Sequence, residues 1–175
     1  MIRSALVGAI AWIGRPSGAA AVPASSPLRG RLALYNIHTR EACDVPYRDR
    51  AGGYDAVGLS ALNRLLRCHF TDETAPIDVR VLEFLDLVHT MVGGGHQIHV
   101  ISGFRSRRYN DWLRRRGRAV SPKSLHLEGR AIDVSIPGAE LAAVRRTALR
   151  LARGGVGYYP ESGFVHLDSG RVRSW

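Results

Sequence analysis

From residue 31 onward, apolar positions either alternate with polar ones or recur at helical spacing, and the two periods predict the elements. Arg31–Ile37 (RLALYNI) sets Leu32, Leu34 and Asn36 against Ala33, Tyr35 and Ile37, as a strand does. Thr39-Arg40-Glu41 predicts a turn into a second short strand near Ala42–Tyr47, and Gly52-Gly53 breaks the pattern. Leu62, Leu65 and Leu66 predict a helix over Ser60–His69. Asp78 predicts the N-cap of the next helix, with Val81, Leu85, Val88 and Val92 as its buried stripe and Gly93-Gly94-Gly95 as its end. A strand at His96–Ile101, a short basic helix over Ser106–Arg116 and a loop over 118–127 follow. Then come a strand at Arg130–Ile136 and a helix over Gly138–Arg153 with Leu141, Val144, Ala148 and Leu151 inward. Strands near Gly155–Tyr159 and Gly163–Asp168 close the chain. Helices and strands mix without regular βαβ alternation, so the expected class is α+β, a mostly antiparallel sheet flanked by helices.

Residues 1–27 follow another pattern. Arg3 precedes the apolar run Ala5–Ile13, small residues at Ser17–Ala21 offer a cleavage site, and a Pro/Ser-rich stretch runs to Pro27. That order is the order of a secretory signal peptide. Residues 1–27 are therefore expected to be an export signal and short linker, and 28–175 one folded, periplasmic domain. The apolar run is shorter than the ~18 residues of a membrane span, so no stable membrane insertion is expected once the signal is removed. Twenty-five Lys and Arg against 15 Asp and Glu give a formal charge of +10. Such a surplus suits an anionic partner: nucleic acid, acidic lipid or an anionic wall polymer. Few aromatics interleave with the arginines of Arg105–Arg118, which, with the export signal, argues against nucleic acid. Cys43 and Cys68 are too few for a disulfide scaffold or a cysteine-zinc site. They could pair in an oxidising envelope or stay as two free thiols.

The chemistry gathers in the second half. Along 131–136, Ile132, Val134 and Ile136 point one way, and Ala131, Asp133 and Ser135 the other. In the last strand Val165 and Leu167 oppose Phe164, His166 and Asp168. Asp133 and His166 can thus share one surface, with the loop carrying His126 over them. Two imidazoles and a carboxylate suit catalytic zinc, whose fourth position holds a water acidified to a pKa of about 7. The residues alone also allow a plainer arrangement, in which Asp133 makes a structural hydrogen bond and His166 is an ordinary surface residue.

Ser124, His126, Gly129, Ala131 and Asp133 match S-x-H-x-x-G-x-A-x-D in full. With Gly154–Pro160, Gly163–Asp168, Val172–Trp175, Ser102–Ser106 and Leu34–Thr39, the pattern over 30–175 resembles the YcbK/MepK-like murein endopeptidases. These belong with the zinc D-Ala-D-Ala peptidases of hedgehog/DD-peptidase fold. The resemblance implies that His126, Asp133 and His166 bind Zn2+ and that the substrate is the stem peptide or crosslink of peptidoglycan. It implies that Arg105 contacts substrate, either at the oxyanion of the tetrahedral intermediate or at a stem-peptide carboxylate. Ser124 would hold a substrate amide or cap its loop, and Asn110 is open in the same way. The implied protein is a monomeric zinc peptidase domain. The alternative is a non-catalytic, zinc-containing wall-binding module.

One departure leaves the general base open. Relatives of the dipeptidase type carry glutamate three residues before the last histidine ligand, where this chain has Gly163; others use H-x-H, where it has Phe164. Asp168, on the strand face of His166, is the first candidate for a catalytic base. It could equally orient His166. Glu161, Glu128 and His99 stand behind it.

Overall fold

A computed structural model describes residues 28–175. The expected export signal and linker, residues 1–27, lie outside the described residues. Strands β1 (Arg31–Asn36) and β2 (Ala42–Pro46) form an antiparallel hairpin. Asn36 builds its turn: the side-chain oxygen accepts from the backbone N–H of His38 and Thr39, at 3.0 and 3.2 Å, as asparagine does at turns. Its amide group donates to the Leu65 carbonyl at 3.0 Å, tying the hairpin to helix α1 (Ala56–Leu65).

Helix α1 lies four residues upstream of the predicted 60–69. Asp55 caps it by accepting from the Gly58 N–H at 2.9 Å, a local bond that the leucine spacing does not reveal. Beyond Leu65 the chain folds back on itself through Cys68 N–H to Glu73 O and Asp72 N–H to Cys68 O. Helix α2 (Val79–Met91) begins at its predicted cap, where the Asp78 carboxylate accepts from Arg80 N–H. Then follow β3 (Ile98–Ser102), α3 (Arg107–Arg115), β4 (Ala131–Ser135), α4 (Leu141–Leu151), β5 (Gly155–Tyr159), β6 (Phe164–Asp168) and β7 (Arg173–Ser174). Within the predicted loop 118–127, Leu125–Glu128 forms one turn of 3-10 helix. The two-residue β7 is too short to show any period.

All seven strands join one sheet in the order β2-β1-β3-β4-β6-β5-β7. The fold is α+β as expected. Four of the six pairings are antiparallel, while β1–β3 and β5–β7 are parallel, so the sheet is mixed. One core receives Leu62 and Leu65 from α1, Val81, Leu85 and Val88 from α2, and Val144 and Ala148 from α4. These pack on the inward strand residues, among them Leu34, Val100, Ile132, Val134, Val165 and Leu167. Burying each such aliphatic side chain stabilises the fold by about 1.5–3 kcal/mol. Because side chains alternate along a strand, this core leaves the opposite face of β4 and β6 free for polar groups. The described residues contain no helix long and apolar enough to cross a membrane.

Candidate metal centre and its cleft

Asp133 on β4 and His166 on β6 are direct cross-strand partners, so the register alone sets them side by side. His166 Nδ1 lies 2.8 Å from Asp133 Oδ1. His126 comes from the 3-10 turn, with Nε2 3.2 Å from His166 Nδ1 and 3.3 Å from Asp133 Oδ2. One potential ligand atom from each of the three residues falls within 4.8 Å of the others, and all three side chains are buried.

The far nitrogen of each imidazole is already committed. His126 Nδ1 donates to the Gly103 carbonyl at 2.7 Å, and His166 Nε2 donates to Asp168 Oδ2 at 3.1 Å. A carbonyl and a carboxylate accept only, so these bonds hold a proton on each far nitrogen and turn the near nitrogens, His126 Nε2 and His166 Nδ1, toward the Asp133 carboxylate. Gly129 makes the 3-10 turn possible. It ends the turn with φ +66°, and a Cβ there would lie 2.2 Å from the Pro76 carbonyl oxygen. Its own carbonyl accepts from Asp78 N–H at 2.9 Å, which anchors the turn on the cap of α2.

Asp168 is wholly buried behind His166. Arg173 grips both of its oxygens, at 3.0 and 2.7 Å. Gly155 and Gly170 donate their backbone N–H groups to Oδ1 at 3.1 and 2.8 Å. With both oxygens occupied and no surface on the cleft, Asp168 is not placed to take a proton from substrate water. Its strand face is the expected one, and its position behind the histidine is that of a group that orients the ring. Glu161, Glu128 and His99 do not line the cleft either. Glu161 is exposed on the β5–β6 turn, Glu128 pairs with Arg130 at 2.9 Å, and His99 packs on Tyr35.

Burial disfavours charge on all these groups, and the pairs decide the outcome. Burial holds His126 below the usual histidine range. Burial also opposes the charge on Asp133, but His126 and His166 outweigh it and hold the carboxyl well below the usual range. For His166, burial is overcome by Asp133 and Asp168, which lift it to about 9. Asp168 is likewise held low, against burial, by His166 and Arg173.

The three residues open into a cleft of about 320 Å³. One wall is the segment before the 3-10 turn, with Val120, Ser121, Lys123 and Ser124; the other carries Tyr159, Phe164, Arg173 and Trp175. Tyr159 stacks on Phe164 at 4.5 Å and accepts from the Trp175 indole N–H at 2.8 Å. Arg105 is buried beside the centre, 3.5 Å from Asp133 Oδ2, and donates to Ser102 Oγ at 3.3 Å. Its Nε has no partner among the described residues. Ser124 lines the cleft, and its side chain makes no capping bond to the 3-10 turn. Asn110 lies outside the cleft lining, and its amide donates to the Ser121 carbonyl at 3.1 Å. Cys43 and Cys68 are both free.

Residues 24–175 match the family model described as Peptidoglycan L,D-endopeptidase MepK. The chain belongs to this family. Peptidoglycan L,D-endopeptidase MepK of Escherichia coli (strain K12) is 38% identical over 151 residues, covering 86% of this chain and 82% of the relative. The protein of the same name from Shigella flexneri has the same identity and coverage. The probable peptidoglycan L,D-endopeptidase MepK of Haemophilus influenzae is 36% identical over 152 residues, covering 86% of this chain and 81% of the relative. Family membership bears out the resemblance carried by the motifs from Leu34 to Trp175.

Proposed function

We propose that the protein is an exported, zinc-dependent endopeptidase of peptidoglycan that cuts L,D crosslinks, the bond between two diaminopimelate residues. The observation that carries this is the convergence of His126 Nε2, His166 Nδ1 and the Asp133 carboxylate, each imidazole braced from behind, at the floor of an open cleft. Two nitrogens and one oxygen with room beside them fit a catalytic zinc site, and these three residues would hold the ion. Bound zinc supplies Lewis acidity for amide hydrolysis.

The chain's own groups do the rest. Arg105 presents a buried guanidinium next to the centre, suited to a developing oxyanion or a substrate carboxylate. Asp168 holds the His166 ring in place and takes no proton from substrate. The Tyr159 hydroxyl, already accepting from Trp175, keeps its own proton available to the cleft. Ser124 and Lys123 offer a hydroxyl and an ammonium to the peptide on the opposite wall. We assign residues 1–27 as export signal and linker and 28–175 as the peptidase domain acting in the periplasm.

Digestion of purified sacculi, with mass identification of the muropeptides released, tests the reading. L,D-crosslinked dimers should fall to monomers, chelation should stop the reaction, and zinc should restore it. The mature protein should carry about one zinc per chain. His126→Ala, Asp133→Ala and His166→Ala should each lose it, and zinc that survives all three changes overturns the site. A zinc-holding wall-binding module without turnover draws on one observation: among the described residues, Asp133 is the only carboxylate side chain lining the cleft. Sacculi left uncut by zinc-loaded protein would favour that module.

A further inference from the structure

We propose that helix α3 and the turn after it form a docking surface for the anionic peptides of the wall polymer, outside the cleft; this rests on the peptidoglycan reading above. Arg105 lines the cleft, the chain then leaves as α3, and it returns at Ala119 to build the cleft wall. Both ends of this excursion belong to the site, so α3 leaves from and returns to its edge. From Arg105 to Lys123 the chain holds eight cationic residues and a single acid, Asp111. Arg107, Arg108, Arg114, Arg115, Arg116 and Arg118 are all exposed. Among the described residues only Arg114 of these six meets a carboxylate, Asp111 at 3.8 Å. Arg116 lies over the Trp112 ring at 4.3 Å.

The surface is held firmly. Phe70, Tyr109 and Trp112 pack ring against ring at 4.9 to 5.8 Å, and Asn110 fastens the returning segment through Ser121. Guanidiniums without acidic neighbours attract carboxylates over a Debye length and can grip them bidentately on contact. Stem peptides carry free carboxylates and repeat along the polymer. When one crosslink occupies the cleft, neighbouring peptides are presented to the rim at high effective concentration. Continuity with the cleft favours this polymer over an acidic lipid surface.

The test replaces four exposed arginines that form no ion pair and lie outside the cleft: Arg107→Gln, Arg108→Gln, Arg115→Gln and Arg118→Gln together, in the mature protein. Three quantities are read: co-sedimentation with sacculi at rising salt, cleavage of a soluble L,D-crosslinked muropeptide dimer, and flotation with phosphatidylglycerol vesicles. Sacculus binding should weaken roughly tenfold at low salt and lose most of its salt dependence, because the cations that salt screens are gone. Cleavage of the soluble dimer should stay within about twofold, since it does not reach the rim. Unchanged sedimentation, an equal loss on the soluble dimer, or a loss confined to vesicle flotation would each overturn the proposal. If the wild-type protein cuts neither substrate, the peptidase reading fails, while sedimentation still judges the docking surface by itself.

Discussion

At the scale of single residues, the centre depends on groups that never meet substrate. Asp168 has five hydrogen bonds on two oxygens, one of them from the ring nitrogen that sets the His166 tautomer. Asp168→Asn keeps the shape but removes the charge and turns one acceptor into a donor facing Arg173 or His166. Zinc affinity should fall by ~10–100-fold, as when the carboxylate behind a ligating histidine is lost, and excess zinc should restore most of the turnover. Rate measured against zinc concentration decides it. A deficit of ~10²–10⁴-fold that persists at saturating zinc would instead mark Asp168 as the proton acceptor, against its buried position.

At the scale of elements, a 3-10 turn and a strand pair deliver the three ligands, and their placement rests on backbone geometry. Gly129→Ala touches no ligand, yet it places a methyl where Pro76 O already stands and strains a left-handed residue by about 1 kcal/mol or more. The turn must shift and His126 with it, so zinc content and Tm should both fall. Gly163→Ala is the control: its φ is +72° but its Cβ would meet open space, so it should cost backbone strain alone and keep its zinc. Full zinc occupancy in Gly129→Ala would show that the turn tolerates the shift. The alternation in 131–136 and 164–168 makes a shared face for Asp133 and His166 legible in the sequence, because period two assigns faces, while their direct pairing comes from the strand order and register. The same reasoning could not see depth. It put Asp168 on the right face but could not tell that Arg173 and two backbone N–H groups close over it. Nor does side-chain periodicity report the Gly103 carbonyl that fixes His126, or the Asp55 cap that moves α1 four residues upstream. Lys123, Arg173 and Trp175 as cleft walls were hidden for a related reason: irregular segments, and a strand as short as β7, carry no period.

At the scale of the whole molecule, the ligands come from segments centred on residues 126, 133 and 166, and each is braced by something more distant. His126 hangs on Gly103, the 3-10 turn on the cap of α2 and the neighbouring Pro76, and His166 on Asp168 and Arg173. An ion held by all three residues joins the 3-10 turn to the sheet centre, and no such arrangement exists in the unfolded chain. Binding to the native state alone stabilises it by about 2.7 kcal/mol when free ligand is at 100 Kd. For a chain of this length each kcal/mol moves Tm by roughly 2–4 °C, so zinc should raise Tm by about 5–10 °C. Chelator should reverse the shift, and His126→Ala should abolish it while leaving the unfolding transition cooperative, because the core on the other face of β4 and β6 is untouched. Thermal unfolding with and without zinc reads this independently of any substrate. A wild-type Tm indifferent to both zinc and chelator would leave His126, Asp133 and His166 as a hydrogen-bonded cluster and remove the metal from the proposed chemistry.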